Sequence, residues 1–132
     1  MVILALDIGQ KKIGIAITSS GIIAQELTTI ENNQKAIVFL ADLVRQRKIG
    51  KIVVGLPVLK SGTISTQAKF VKGFMAELED HIKLPVEYED EYLTTKEAER
   101  ILRETGLTQE QIKTRVDQMS AKIILEQYLN KI

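Results

Sequence analysis

Four carboxylates stand in this sequence where a freely solvated surface acid is not expected. Asp7 closes the apolar run Val2 to Leu6. Asp90 and Glu91 close the alternating stretch Pro85 to Asp90. Asp117 falls on a helical stripe with Ser120, Ala121, Ile124 and Tyr128, which is otherwise small or apolar. An ionised acid at the mouth of a buried strand costs roughly several kcal/mol unless a metal, a ligand or a donor network offsets it. The plainer alternative is structural, with Asp7 accepting from turn amides around Gly9 and Asp117 complementing a helix dipole at the rim of its stripe. The rest of the composition narrows the chemistry. There is no cysteine, and His81 is the one histidine. Disulfides, thiolate nucleophiles and cysteine zinc sites are excluded, and histidine-based triads are disfavoured. What remains is carboxylate chemistry with a hard cation, Mg²⁺ or Mn²⁺. Two such ions held about 3.5–4 Å apart activate water and stabilise the leaving oxygen in phosphodiester cleavage. Asp7 is best placed to bridge the two ions, with Asp90 or Glu91 on one and Asp117 on the other. Asp90 and Glu91 point to opposite faces if the strand persists, so residue geometry leaves that choice open.

The elements that must position these acids follow from periodicity. Val2 to Leu6 reads as a strand buried on both faces, with Asp7 at its C-terminal end. Gly9 breaks it, and Ile13-Gly14-Ile15-Ala16-Ile17 begins a second strand, antiparallel across a short hairpin. Ile22 to Ile30 reads as a third strand, at an edge. A helix is expected over about Asn33 to Arg47, capped by Asn32 or Asn33, with its basic end complementing the dipole. Lys51 to Gly55 is a strand, followed by a loop marked by Pro57 and Gly62. A long helix runs over about Ser65 to Ile82, with His81 on its surface, and a strand over Pro85 to Asp90. Thr94 and Glu97 form a capping box for a helix that Gly106 stops. Thr108 and Gln111 form a second box, and the last helix carries Val116, Met119, Ile123, Ile124, Tyr128 and Leu129. Strand–helix–strand units pair in parallel. The expected fold is α/β: a five-stranded mixed sheet, three antiparallel strands and then two parallel ones, with helices on both faces. Ligand sites in such sheets lie beyond the carboxyl ends of the parallel strands. Asp7-Ile-Gly9, Gly55-Leu-Pro57 and Asp90-Glu91 all arrive there.

The chain has 132 residues, of which 45% are hydrophobic and 27% charged, and a single domain over 1–132 is expected. The formal net charge is +1, so a nucleic-acid partner must be met by a local patch. No apolar run is long enough to span a membrane, and no signal-peptide pattern precedes the first strand, so a cytoplasmic location is expected.

Four ordered stretches resemble the YqgF/RuvX family, small RNase H-like proteins related to Holliday junction resolvases and described as pre-16S rRNA processing nucleases. They are Ala5-Leu-Asp7-Ile-Gly9 through Ala16, Val53-Val-Gly55-Leu-Pro57 with Gly62-Thr63, Asp90-Glu91-Tyr92 through Ala98, and Lys113-Thr-Arg115-Val-Asp117 through Ala121. The resemblance implies an RNase H-like fold and a catalytic, metal-binding triad of Asp7, Glu91 and Asp117. It thereby favours Glu91 over Asp90. Gly9, Asp90, Thr94 and Ser120 become candidates to support that triad. The chain departs from the family pattern where Tyr92 replaces an Arg, Leu59 and Ser61 replace Asn and Asp, and Gln10 replaces Thr. Losing the Arg removes a phosphate or carboxylate partner. The implied activity is metal-dependent endonucleolytic cleavage of structured RNA in ribosome biogenesis, with Mg²⁺ or Mn²⁺, two ions, as cofactor. Branched DNA is the alternative substrate, and a non-catalytic nucleic-acid-binding or assembly factor the alternative class. An ATP-binding protein of the actin-like or sugar-kinase type also opens on Asp-x-Gly, but needs two such domains. Lys11, Lys12, Lys60, Lys69, Lys113 and Arg115 are candidate phosphate contacts, each otherwise a solvated surface charge. Aromatic residues are sparse, so recognition by shape and backbone is expected. No interface stripe assigns an oligomeric state.

Overall fold

The structure is a computed structural model that describes residues 1–57, 64–91 and 94–132, without the side chains of Thr94 and Thr95. The expectations for Leu59, Lys60, Ser61, Gly62, Thr63 and Tyr92, and for the Thr94 side chain, lie outside the described residues. The elements are β1 (Ile3–Ile8), β2 (Lys12–Thr18), β3 (Gln25–Glu31), α1 (Ala36–Gln46), β4 (Lys51–Leu56), α2 (Thr66–Glu79), β5 (Val86–Asp90), α3 (Thr94–Glu104) and α4 (Gln109–Leu129).

One five-stranded sheet runs in the order β3-β2-β1-β4-β5. The pairs β1–β2 and β2–β3 are antiparallel, and β1–β4 and β4–β5 are parallel. This is the mixed sheet that the pattern of elements predicts. Its two faces differ in residue size. Leu4, Leu6, Ile8, Ile13, Ile15, Ile17, Ile52 and Val54 meet α1 and α2 in one core. The other face presents Ile3, Ala5, Ala16 and Val53 to Ala121, Ile124, Leu125 and Tyr128 of α4. The small residues let α4 approach that face closely. Helix α3 packs on the outside of α4 through Ala98, Leu102, Ile112, Met119 and Ile123.

Several boundaries depart from the sequence reading, each for a local reason. Strand β1 extends through Ile8, so Asp7 lies inside the strand, paired with Gly14. Helix α1 starts at Ala36 with no side-chain cap. The two asparagines expected to cap it are used elsewhere: Asn32 Nδ2 donates to the Gly9 carbonyl at 2.8 Å, and Asn33 Oδ1 accepts from the Lys35 amide at 2.9 Å. Helix α2 begins with Ser65 as cap, its hydroxyl accepting from the Ala68 amide. It ends at Glu79, and Ile82 reaches the first core from beyond the helix. The Thr108–Gln111 capping box of α4 is formed as expected. His81 is exposed.

Candidate active site

Asp7 faces α4, because Ile3 and Ala5 do and side chains alternate along β1. Its two neighbours across the sheet on that face are glycines. Gly14 is its partner on β2, and Gly55 lies one residue beyond the Leu6–Val54 pair on β4. A Cβ on Gly14 would collide with the backbone carbonyl of Asp117. A Cβ on Gly55 would collide with Ile124 and stand 3.0 Å from Oε2 of Glu91. The acid is therefore flanked by two cradles, one filled by the α4 backbone at Asp117 and one by Ile124 together with the Glu91 carboxylate. Glycine inside a strand marks such close approaches.

Strand pairing separates Asp90 from Glu91 and turns Glu91 to the α4 side. The Glu91 amide donates to the Leu56 carbonyl at 3.2 Å, which carries the β4–β5 pairing past Asp90. Alternation then holds. Glu87 bonds Lys51 and Glu89 pairs with Lys131 on the α4 side, and Glu91 follows them. Tyr88 stacks under Lys72 of α2 on the opposite side, and Asp90 alternates with it.

The electrostatics show what this crowding does. Burial first, then a hydrogen bond with Glu91, then the charges of Glu91 and Asp117 push the Asp7 carboxyl well above the usual carboxylate range. Two carboxyls share a hydrogen bond only when one of them holds a proton. Burial also raises Asp117, and the nearby charge of Lys12 partly offsets this. One turn along α4, Ser120 is 1% exposed and its hydroxyl has no hydrogen-bond partner among the described residues.

The other candidates divide. Lys12 stands close enough to act on Asp117, and Lys11 is exposed on the same hairpin. That hairpin is clamped: the Gly9 amide donates to the Lys12 carbonyl, Asn32 holds the Gly9 and Lys11 carbonyls, and Gln67 Nε2 donates to the Ile8 carbonyl at 3.0 Å. Lys69 is exposed on α2. Lys113 lines a cavity of about 600 Å³ between α3 and α4, with Glu99, Arg103 and Val116. None of the three acids lines that cavity. Arg115 is engaged with Glu26 of β3 at 2.9 Å. The sequence places Gly55 at the site's edge of the sheet and Gly14 within the second strand, but the close approaches that the two glycines permit were missed. A glycine inside an otherwise apolar strand was the available signal.

The donor set fits a hard divalent cation in kind: carboxylate oxygens from β1, the end of β5 and α4, crowded enough to push the Asp7 carboxyl well above its usual range, beside a buried hydroxyl without a hydrogen-bond partner among the described residues. As the side chains stand, no group of three acids among the described residues is spaced to hold an ion. Binding one would favour the ionised Asp7 carboxylate, against the upward push of its burial and of Glu91 and Asp117.

The architecture is that of the junction-resolving nucleases. The fold aligns with Thermus thermophilus RuvC in complex with a Holliday junction at a TM-score of 0.61 and 11% identity, covering 99% of this chain and 95% of that one. It aligns with the Fowlpox virus resolvase, also in a junction complex, at 0.62 and 12% identity, covering 99% and 98%. At the sequence level, the model of the RuvX family, described as "Holliday junction resolvase", matches residues 1–131. A Chloroflexus aurantiacus protein named "Putative pre-16S rRNA nuclease" is 42% identical over 98% of this chain and 86% of its own length. A Crocosphaera subtropica protein of the same name is 41% identical over 97% and 92%. The chain belongs to the RuvX family, and by that membership it is a nuclease.

Proposed function

We propose that the chain hydrolyses phosphodiester bonds in structured RNA, the precursor of 16S ribosomal RNA, at a site formed by Asp7, Glu91 and Asp117 with Mg²⁺ or Mn²⁺. The observation that carries this reading is the crowding of Asp7 by Glu91 and Asp117 between Gly14 and Gly55. Three acids crowded until the Asp7 carboxyl is pushed well above its usual range form a site that a cation completes. Asp7, Glu91 and Asp117 would hold the cation, which when bound would supply water activation near neutral pH and charge stabilisation at the leaving oxygen.

The chain's own residues do the rest. The clamped hairpin holds Asp7 and presents Lys11 and Lys12 to phosphates flanking the scissile bond. Lys113 and Arg115 are further phosphate contacts, Arg115 while bound to Glu26, and Lys60 is a candidate for the same role by its charge. Gly9 and Ser120 support the triad from around it, the Ser120 hydroxyl, without a partner among the described residues, accepting a hydrogen bond from a water at Asp117. Asp90, turned to the other face, supports it through the backbone it shares with Glu91, and Thr94 is a candidate from its place in the sequence. The relatives' name and the absence of a helix long and apolar enough to cross a membrane, among the described residues, favour action on ribosomal RNA in the cytoplasm. The family's description favours branched DNA as a second substrate.

A cleavage assay on a precursor rRNA fragment, single-stranded RNA and a four-way DNA junction, with Mg²⁺, Mn²⁺ or EDTA, tests both. Metal-dependent cutting of the rRNA fragment, absent in Asp7→Asn, is expected. Preferred cutting of the junction would move the substrate to DNA. No cutting of any substrate by folded wild type would favour a non-catalytic binding factor.

A further inference from the structure

The place of Asp117 depends on where the N-terminal part of α4 lies on the sheet, and apolar packing does not set it there. The stripe Ala121, Ile124, Leu125 and Tyr128 anchors the C-terminal part of the helix. At Asp117 the helix backbone rests against Gly14, which has no side chain to hold it. A polar network takes over at this level. Glu26 of β3 accepts from Arg115 Nη2 at 2.9 Å and from Gln118 Nε2 at 3.2 Å, and Gln118 Oε1 accepts from the Thr29 hydroxyl at 3.2 Å. The residues held, 115 and 118, flank Asp117.

Glu26 reaches α4 only because β3 carries a bulge. Thr28 pairs with Ile15 and Glu26 with Ala16, so Leu27 is the extra residue. Leu27 packs into the core beneath α1 and α2. Strict alternation from Thr29, which faces α4, would turn Glu26 to that same opposite face. The bulge re-aims it, a common use of bulges near active sites. The Glu26 side chain is 14% exposed, so its two acceptor oxygens are committed in a sheltered place.

We propose that Glu26 is a positioning residue of the nuclease: acting through Arg115 and Gln118, it fixes Asp117 over Gly14 and beside Asp7. The inference rests on the reading of Asp117 as a member of the active site. A displacement of about 1 Å at a catalytic group can cost on the order of a hundredfold in rate. Glu26→Ala should therefore lower kcat about ten- to a hundredfold and raise the Mn²⁺ concentration for half-maximal thermal stabilisation, with KM little changed. Glu26→Gln keeps one acceptor and should recover part of both losses. Arg115→Ala added to Glu26→Ala should cost little more kcat, because the two residues act as one unit.

Cleavage, Mn²⁺-dependent melting and circular dichroism are measured well below the melting temperature, with Asp7→Asn as control. An inactive Asp7→Asn together with a slow, weakly Mn²⁺-responsive Glu26→Ala supports the proposal. An inactive Asp7→Asn with wild-type kcat and Mn²⁺ response in folded Glu26→Ala overturns the proposal alone. A lower KM in Glu26→Ala at unchanged kcat also overturns it, because Glu26 would then merely restrain Arg115 from substrate. Wild-type cutting by Asp7→Asn overturns the reading of the site and the proposal with it. If Glu26→Ala fails to fold, Glu26→Gln carries the test, and wild-type kcat and Mn²⁺ response there overturn the proposal.

Discussion

At the scale of the residue, the burial of Asp7 among acids costs the fold stability. Its carboxyl is raised by burial and by its acidic neighbours, so the folded chain holds that proton more tightly than the unfolded chain does. Stability from this group is complete below the unfolded value, near 3.8, and is lost as pH rises through the higher folded value. In the metal-free protein Asp7→Asn should therefore melt higher than wild type at neutral pH, by roughly 3–5 °C for each kcal/mol relieved. The difference should shrink as the pH falls towards 4. Calorimetry across pH 4–8 in EDTA checks this, and a wild type that melts higher at every pH would remove the electrostatic conflict. The acids themselves were legible in the sequence, because an acid ending an apolar strand stands out. The choice of Glu91 over Asp90 was not legible from periodicity. It depends on the pairing of β5 continuing to the Glu91 amide, a contact with β4 that no local pattern encodes.

At the scale of the element, the close approach of α4 to the sheet is the decisive contact. Gly14→Ala puts a methyl group where the Asp117 carbonyl lies, backbone against backbone, with no flexible side chain to give way. The expected cost is about 2–3 kcal/mol by urea unfolding, with strongly reduced cleavage. By contrast, Thr108→Ala breaks the capping box at the N-terminus of α4, before the helix reaches the sheet at Asp117, and should cost about 1 kcal/mol while sparing kcat. Equal effects on kcat would contradict a site that depends on the local seat of α4 over β2. Element order and strand pairing were readable because apolar periodicity and βαβ connection rules govern them. The bulge at Leu27 was not, since Gln25–Glu31 alternates loosely and only the partner strand shows which residue is extra. The start of α1 was misjudged because Asn32 and Asn33 suit a cap. Asn32 instead clamps the Gly9 hairpin, a tertiary use invisible along the chain.

At the scale of the whole molecule, a net charge of +1 gives no long-range pull on a polyanion. Affinity must come from a few local contacts. The slope of log affinity against log salt should be shallow, and replacing Lys12 by Ala should reduce it by about one phosphate contact. Filter binding over 50–200 mM salt reads this directly, and an unchanged slope would remove Lys12 from the nucleic-acid surface. The central claim is that Asp7, Glu91 and Asp117, from three separate elements, make one cation site. The most direct test is calorimetric titration of Mn²⁺ into metal-free protein near pH 7, for wild type and for Asp7→Asn, Glu91→Gln and Asp117→Asn. Saturable binding with proton release in wild type, lost or at least tenfold weaker in each variant, is the predicted result. Wild-type Mn²⁺ affinity in all three variants would contradict it.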